Sequence, residues 1–246
     1  MAYWEDEIRS LTGKAIHRYG MIEDGDRILV GVSGGKDSLT LLTLLHERRK
    51  RVPIHYDVIP VYINLGFDSD QERVLRDLFE ERGLSYHIEQ TQIGRKAHSA
   101  ENLENPCFLC SWERRKQIFH LAPRLGCNKI ALGHHKDDII ETFLLNIFYS
   151  AEISTMLPVQ TLFKGKITII RPLALIEEKK IERFAQEKGL PVGPSGCPSS
   201  GKTKRKEIKG LIENLEKGNR KVKGNIFRSL SNIKLDYTFM KWKKQS

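Results

Sequence analysis

Arg27-Ile28-Leu29-Val30-Gly31-Val32-Ser33-Gly34-Gly35-Lys36-Asp37-Ser38 is the stretch from which the fold is read. Its first half has the near-continuous apolar run of a strand buried on both faces, and a helical pattern begins at Ser38. Between them, two glycines permit a tight turn and a close backbone approach to a ligand, with no Cβ in the way. The helix that follows offers unpaired N–H groups and the positive end of its dipole, which favour a phosphate. Ser33 and Ser38 can donate to phosphate oxygens, Lys36 can balance charge, and Asp37 can hold Mg²⁺. The plainer alternative is an ordinary glycine-rich strand–helix turn.

Outward from this stretch, Ile8, Leu11, Ala15 and Tyr19 lie at helical spacing and predict an amphipathic helix over about 5–22. Further strands are expected near 56–65, 85–89, 129–132 and 166–170. Helices are expected over 38–50, 70–82, 110–125, 137–149 and 177–188, with polar, irregular chain at 91–106. Such alternation argues for an α/β, doubly wound parallel sheet with helices on both faces. The expected divisions are an N-terminal helix at 1–24, a nucleotide-binding domain at 25–200 and a basic helical C-terminal extension at 201–246.

Charge is unevenly spread. The chain of 246 residues carries a formal net charge of +10, and the segment from Lys202 to Ser246 alone holds 14 basic and 4 acidic residues. The preceding residues balance to zero, so a polyanion is expected to dock at the C-terminal end, unless this is a solvated lysine-rich surface. Phe227, Tyr237, Phe239 and Trp242 could stack on bases there, although core packing is the more frequent use of such residues. No apolar run approaches the roughly 18 residues of a membrane span. Acids occupy positions 5–7, where a signal peptide would carry bases. A cytoplasmic protein with no membrane partner is expected.

The chain has 4 cysteines. Cys107-Phe108-Leu109-Cys110 opens a helix, where thiolates are stabilised, and alone reads as a redox pair, half a zinc site or an iron–sulfur anchor. Zinc would want a second pair, which is absent from the sequence. Cys127 precedes a strand, where a small buried residue is expected, whereas Cys197 lies in a Gly/Pro-rich loop with no core to fill. Gly196-Cys197-Pro198-Ser199-Ser200-Gly201-Lys202-Thr203 also satisfies the pattern of a Walker phosphate loop. It lacks the buried strand such a loop must follow, since Gly189-Leu190-Pro191-Val192-Gly193-Pro194 contains two prolines.

The hexapeptide Ser33 to Ser38 resembles the PP-loop of the ATP-pyrophosphatase superfamily. Together with Cys107-Phe108-Leu109-Cys110-Ser111-Trp112-Glu113-Arg114-Arg115, Leu132-Gly133-His134-His135-Lys136-Asp137-Asp138 and Ile170-Arg171-Pro172-Leu173-Ala174, it is similar to the tRNA 2-thiocytidine synthetase family. The similarity runs in unbroken order over roughly residues 25 to 200. It implies a Rossmann-like PP-loop domain that splits ATP between its α- and β-phosphates with Mg²⁺, adenylating a base oxygen that sulfur then replaces. It implies a 4Fe–4S cluster on Cys107, Cys110 and Cys197, one iron lacking a protein thiolate. ATP contacts are implied at Ser33, Gly34, Gly35, Lys36, Asp37, Ser38 and Gly133, with Asp137 and Asp138 in catalysis. Arg114 is expected to face the substrate or phosphates, the alternative being a solvated helix face. Implied partners are tRNA, a sulfur donor such as a cysteine desulfurase or free sulfide, and a second copy of the chain in a homodimer. Rival readings on the same fold are a lysidine-synthetase-like ligase without a cluster, a cluster-dependent desulfidase and a non-catalytic RNA-binding protein.

Overall fold

The computed structural model describes residues 3–67, 70–193 and 204–237. Its strands are β1 (Arg27–Val32), β2 (Asp57–Asn64), β3 (His87–Gln90), β4 (Lys129–Ala131), β5 (Val159–Leu162) and β6 (Ile167–Ile170). They form one sheet in the order β3-β2-β1-β4-β6-β5. Pairing is parallel throughout except at one edge, where β5 runs antiparallel to β6. Register places Leu29 opposite Ile59 on one side and Ile130 on the other.

The helices are α1 (Tyr3–Arg18), α2 (Lys36–Arg48), α3 (Gln71–Glu81), α4 (Ile93–Ala97), α5 (Pro106–Arg124), α6 (Lys136–Ser150), α7 (Glu178–Glu187), α8 (Lys204–Gly218) and α9 (Val222–Ser229). Side chains of β1 alternate between faces. Ile28, Val30 and Val32 join Leu41 and Leu45 of α2, Phe79 of α3 and Phe184 of α7. Leu29 joins Leu121 and Ala122 of α5 on the opposite face. Each of the larger side chains so buried contributes about 1.5–3 kcal/mol of transfer free energy, so the sheet is fixed by apolar cover on both faces. Helix α1 belongs to this core through Ile8 and Ala15. Arg9 reaches Glu47 of α2 at 2.7 Å, and Glu5 and Glu7 pair with Lys188 and Lys180.

One helix begins earlier than the expected span, and another exists where periodicity gave no sign. Helix α5 starts at Pro106, before both cysteines, because the Asn105 side chain caps it by accepting from the N–H groups of Cys107 (2.9 Å) and Phe108 (3.3 Å). Proline suits that first position, having no N–H to leave unpaired. Helix α4 lies inside the stretch expected to be irregular, and its Ile93 and Ala97 are buried beside Cys110.

The chain divides into two compact units: Met1–Lys136 with Leu157–Lys202, and Asp137–Met156 with Thr203–Ser246. The first holds the sheet. In the second, Ile140 of α6 packs with Ile208 and Ile212 of α8, joined by Ile226 and Phe227 of α9.

Candidate active site

In an open parallel sheet a ligand crevice opens at the carboxyl ends of the strands, where the order reverses. Here β1 is flanked by β2 and β4, and the loops leaving β1 (33–35) and β4 (132–135) meet at that point. Gly34 has φ +80°, a conformation that L side chains rarely adopt. Ser38 Oγ donates to the Gly35 carbonyl (3.0 Å) and accepts from the Ser33 N–H (3.0 Å). Ser33 Oγ lies 3.2 Å from Ser38 Oγ. The two serines expected to hold phosphate thus also hold the loop's shape. Gly133 backs the loop so closely that a Cβ there would stand 3.0 Å from the backbone of Asp37 and Ser38.

Lys36 Nζ sits 3.1 Å from Glu178 of α7 and 3.2 Å from Asp37. Burial opposes its charge, but Asp37 and Glu178 outweigh that and hold its pKa above the ordinary lysine value. Asp37 Oδ1 is buried and accepts no well-aligned hydrogen bond among the described residues, with Lys36 Nζ 3.2 Å and His135 Nε2 3.8 Å away. A buried carboxylate oxygen with no aligned hydrogen-bond donor suits a cation, and the Lys36 ammonium stands nearest to it here. The second histidine of the pair, His134, receives a hydrogen bond from Arg171 Nε (3.3 Å). Burial, then repulsion by Arg115, pushes the Arg171 pKa down to about 10, which still leaves the guanidinium charged at neutral pH.

A cleft of about 340 Å³ opens against this loop. It is lined by Ser33 and Gly35, by Tyr62 to Asn64 at the end of β2 with the following Leu65, and by Cys107, Cys110 and Arg114 of α5. Cys107 is exposed and Cys110 is 9% exposed. They flank one turn at the start of α5. Among the described residues no group of three His, Cys, Asp or Glu could hold a metal ion, and Cys197 lies outside them, as does the Walker-like octapeptide. Cys127 is 4% exposed in the apolar layer beneath β1, and burial pushes its thiol pKa up.

Asp137 and Asp138 belong to the second unit, with their charges matched by the basic helices. Asp137 lies 2.8 Å from Lys223 of α9, and Asp138 lies 3.1 Å from Arg205 of α8, which also reaches Glu141 at 3.0 Å. Phe227 packs in that unit's core and Tyr237 is exposed, while Phe239 and Trp242 lie outside the described residues. Sequence reasoning gave no sign of these ion pairs, of Glu178 opposite Lys36, or of Asn64 and Gln71 in the cleft wall. Only pairing across the fold brings them there.

A model of the PP-loop domain matches residues 6–192. The chain is 39% identical to the tRNA-cytidine(32) 2-sulfurtransferase of Geobacter sulfurreducens, covering 94% of this chain and 91% of that one. It is likewise 39% identical to the enzyme of the same name from Geobacter metallireducens, over 92% of this chain and 90% of the other. Among solved structures it resembles the U34-tRNA thiolase NcsA from Methanococcus maripaludis with its [4Fe-4S] cluster. There the TM-score is 0.78 at 26% identity, covering 96% of this chain and 80% of the thiolase.

Proposed function

Because the chain belongs to the tRNA-cytidine(32) 2-sulfurtransferase family of PP-loop domains, we propose that it thiolates cytidine 32 of tRNA in the cleft between the 33–38 loop and Cys107. It is an enzyme of ATP- and 4Fe–4S-dependent tRNA thiolation. One observation supports locating that chemistry here: a single cleft is lined by Ser33 and Gly35 of the phosphate loop and by Cys107, Cys110 and Arg114.

The chemistry is set by the substrate. A base carbonyl oxygen is a very poor leaving group until it is made an ester of phosphate. In our reading the loop N–H groups, Ser33 and Lys36 hold the triphosphate, and the Asp37 carboxylate holds Mg²⁺. The cytosine oxygen attacks the α-phosphorus, and pyrophosphate leaves. Sulfur then takes the place of the adenylated oxygen, and AMP departs. Cys107, Cys110 and Cys197 would hold the cluster, which would supply a place for the incoming sulfur to bind. Arg114 faces the negative charge that develops between the two centres. To Asp137 and Asp138 we assign the holding of α8 and α9, because their carboxylates are ion-paired with Lys223 and Arg205. The basic face of those helices positions the tRNA through phosphates.

A cysteine desulfurase or free sulfide as donor, a homodimer and a cytoplasmic location complete the proposal. Their support is the family resemblance and, among the described residues, the lack of any helix long and apolar enough to cross a membrane. Anaerobic reconstitution of single Cys→Ser variants tests the ligand set. Iron and sulfide should be lost from the 107, 110 and 197 variants and retained by Cys127→Ser. Equal dependence on all four cysteines, or one zinc and no iron per chain, would overturn it.

A further inference from the structure

Gln71 is the first residue of α3 and stands in the wall of the cleft. It is 8% exposed, and its Nε2 is buried with no hydrogen-bond partner among the described residues. The amide lies across the phosphate loop. A Cβ at Gly34 would stand 2.7 Å from its Cδ and Nε2, and one at Gly193 would stand 1.6 Å from its Oε1. These two glycines also join to each other, Gly193 N–H donating to the Gly34 carbonyl at 3.3 Å. Glycine at both positions is what makes room for the amide.

A buried amide donor left unpaired is costly, and native proteins keep few. Its surroundings indicate what the missing acceptor is. Among the described residues the cleft wall around it holds Arg114 and no carboxylate, and the cap residue of α3, Asp70, makes no side-chain hydrogen bond to the helix start. The nearest acid in sequence, Glu72, is already held by Asn64 and Gln90, each at 2.7 Å, and by Arg76 at 2.9 Å. An anionic oxygen from outside the chain fits this setting. We propose that Gln71 is a nucleotide-binding residue whose side-chain N–H donates to a phosphoryl oxygen of ATP seated on the 33–38 loop.

This inference rests on the reading of that loop as the ATP site, and the test separates the two. Two full-length variants are compared with the native chain under anaerobic conditions. Gln71→Glu keeps the shape but replaces the donor with an oxygen, and Gln71→Met keeps similar bulk without any donor. Binding of Mg-ATP and of inorganic pyrophosphate is measured by calorimetry, and melting is followed without nucleotide. Loss of one hydrogen bond to a charged oxygen should raise both dissociation constants about ten- to a hundredfold. Gln71→Glu should suffer more, and the ligand-free Gln71→Met chain should melt no lower than the native one. Gly193→Ala, which drives the amide from its place, should weaken the same two ligands. If the native chain binds ATP and pyrophosphate and both Gln71 variants match it, the amide is only packing and the inference fails. Loss of tRNA binding with nucleotide binding intact would assign the amide to the base and also overturn it. A native chain that binds neither ATP nor pyrophosphate would instead refute the loop's role as the nucleotide site.

Discussion

Gly133→Ala isolates the contact that supports the nucleotide loop. The added methyl would stand 3.0 Å from the Asp37 carbonyl carbon and the Ser38 nitrogen, against about 3.5–4.0 Å for relaxed carbon contacts. Both neighbours are backbone, at the start of α2, so neither can rotate away as a side chain could. Overpacking of this kind costs about 1–3 kcal/mol. At about 2–4 °C per kcal/mol for a domain of this size, melting should fall by about 2–12 °C. The loop, rather than the sheet behind it, is the part able to yield. Misplacing reacting groups by about 1 Å costs on the order of a hundredfold in rate, so pyrophosphate release should fall at least tenfold. Gly210→Ala serves as the control, since nothing lies within 4 Å of a Cβ there. Placed inside α8, that change should stabilise by about 0.5–1 kcal/mol. Melting by calorimetry with and without Mg-ATP reads both. A Gly133→Ala protein that melts and turns over like the native chain would refute the claim that this contact shapes the site.

Three further outcomes are expected. Asp37→Ala should abolish pyrophosphate release while Thr203→Ala leaves nucleotide binding nearly intact, and the reverse pattern would move the ATP site to the Walker-like octapeptide. Replacing the exposed Arg220, Lys221 and Arg228 by Ala should weaken tRNA binding and reduce the slope of log K against log salt by about 0.7–0.9 for each phosphate no longer neutralised. This is a cleaner test than removing the tail, because Ile208 and Ile212, each 3% exposed, cover Ile140. Finally, Gln90 and Asn64 donate to Glu72 and hold its carboxyl below the ordinary value of 4.5. A depressed acid contributes stability that is complete above its unfolded pKa and is lost as pH falls through the folded one. Glu72→Gln should therefore flatten the loss of stability below pH 4.5, and an unchanged acid limb would show that this carboxylate does not contribute.

The sequence made legible what is encoded locally. Strand β1, its glycine turn and α2 appear within a residue or two of expectation, because an apolar run meeting Gly-Gly and then a helical period has few other readings. Strand β5 escaped notice because Val159 to Leu162 is four residues long and only half-buried on the edge of the sheet, so neither alternation nor a continuous apolar run could show. Helix α4 is five residues, shorter than the two turns a 3.6-residue period needs to declare itself. The same division holds at the site. The phosphate loop and the cysteine pair are local patterns and could be quoted from the chain. Gln71 over Gly34, Glu178 beside Lys36 and Lys223 on Asp137 join residues far apart in sequence, and a single polar letter carries no mark of such a partner. Charge counting showed that the C-terminal segment is basic but not that part of its charge is matched by Asp137, Asp138 and Glu141.

The central claim is that this chain puts sulfur on cytidine in tRNA, and nucleoside mass spectrometry of tRNA from cells lacking the protein tests it most directly. The account predicts that 2-thiocytidine disappears while other thionucleosides persist. It should return with the native chain and stay absent with Asp37→Ala or Cys107→Ser. Undiminished 2-thiocytidine in those cells, or its full return with the Cys107→Ser chain, would contradict the account.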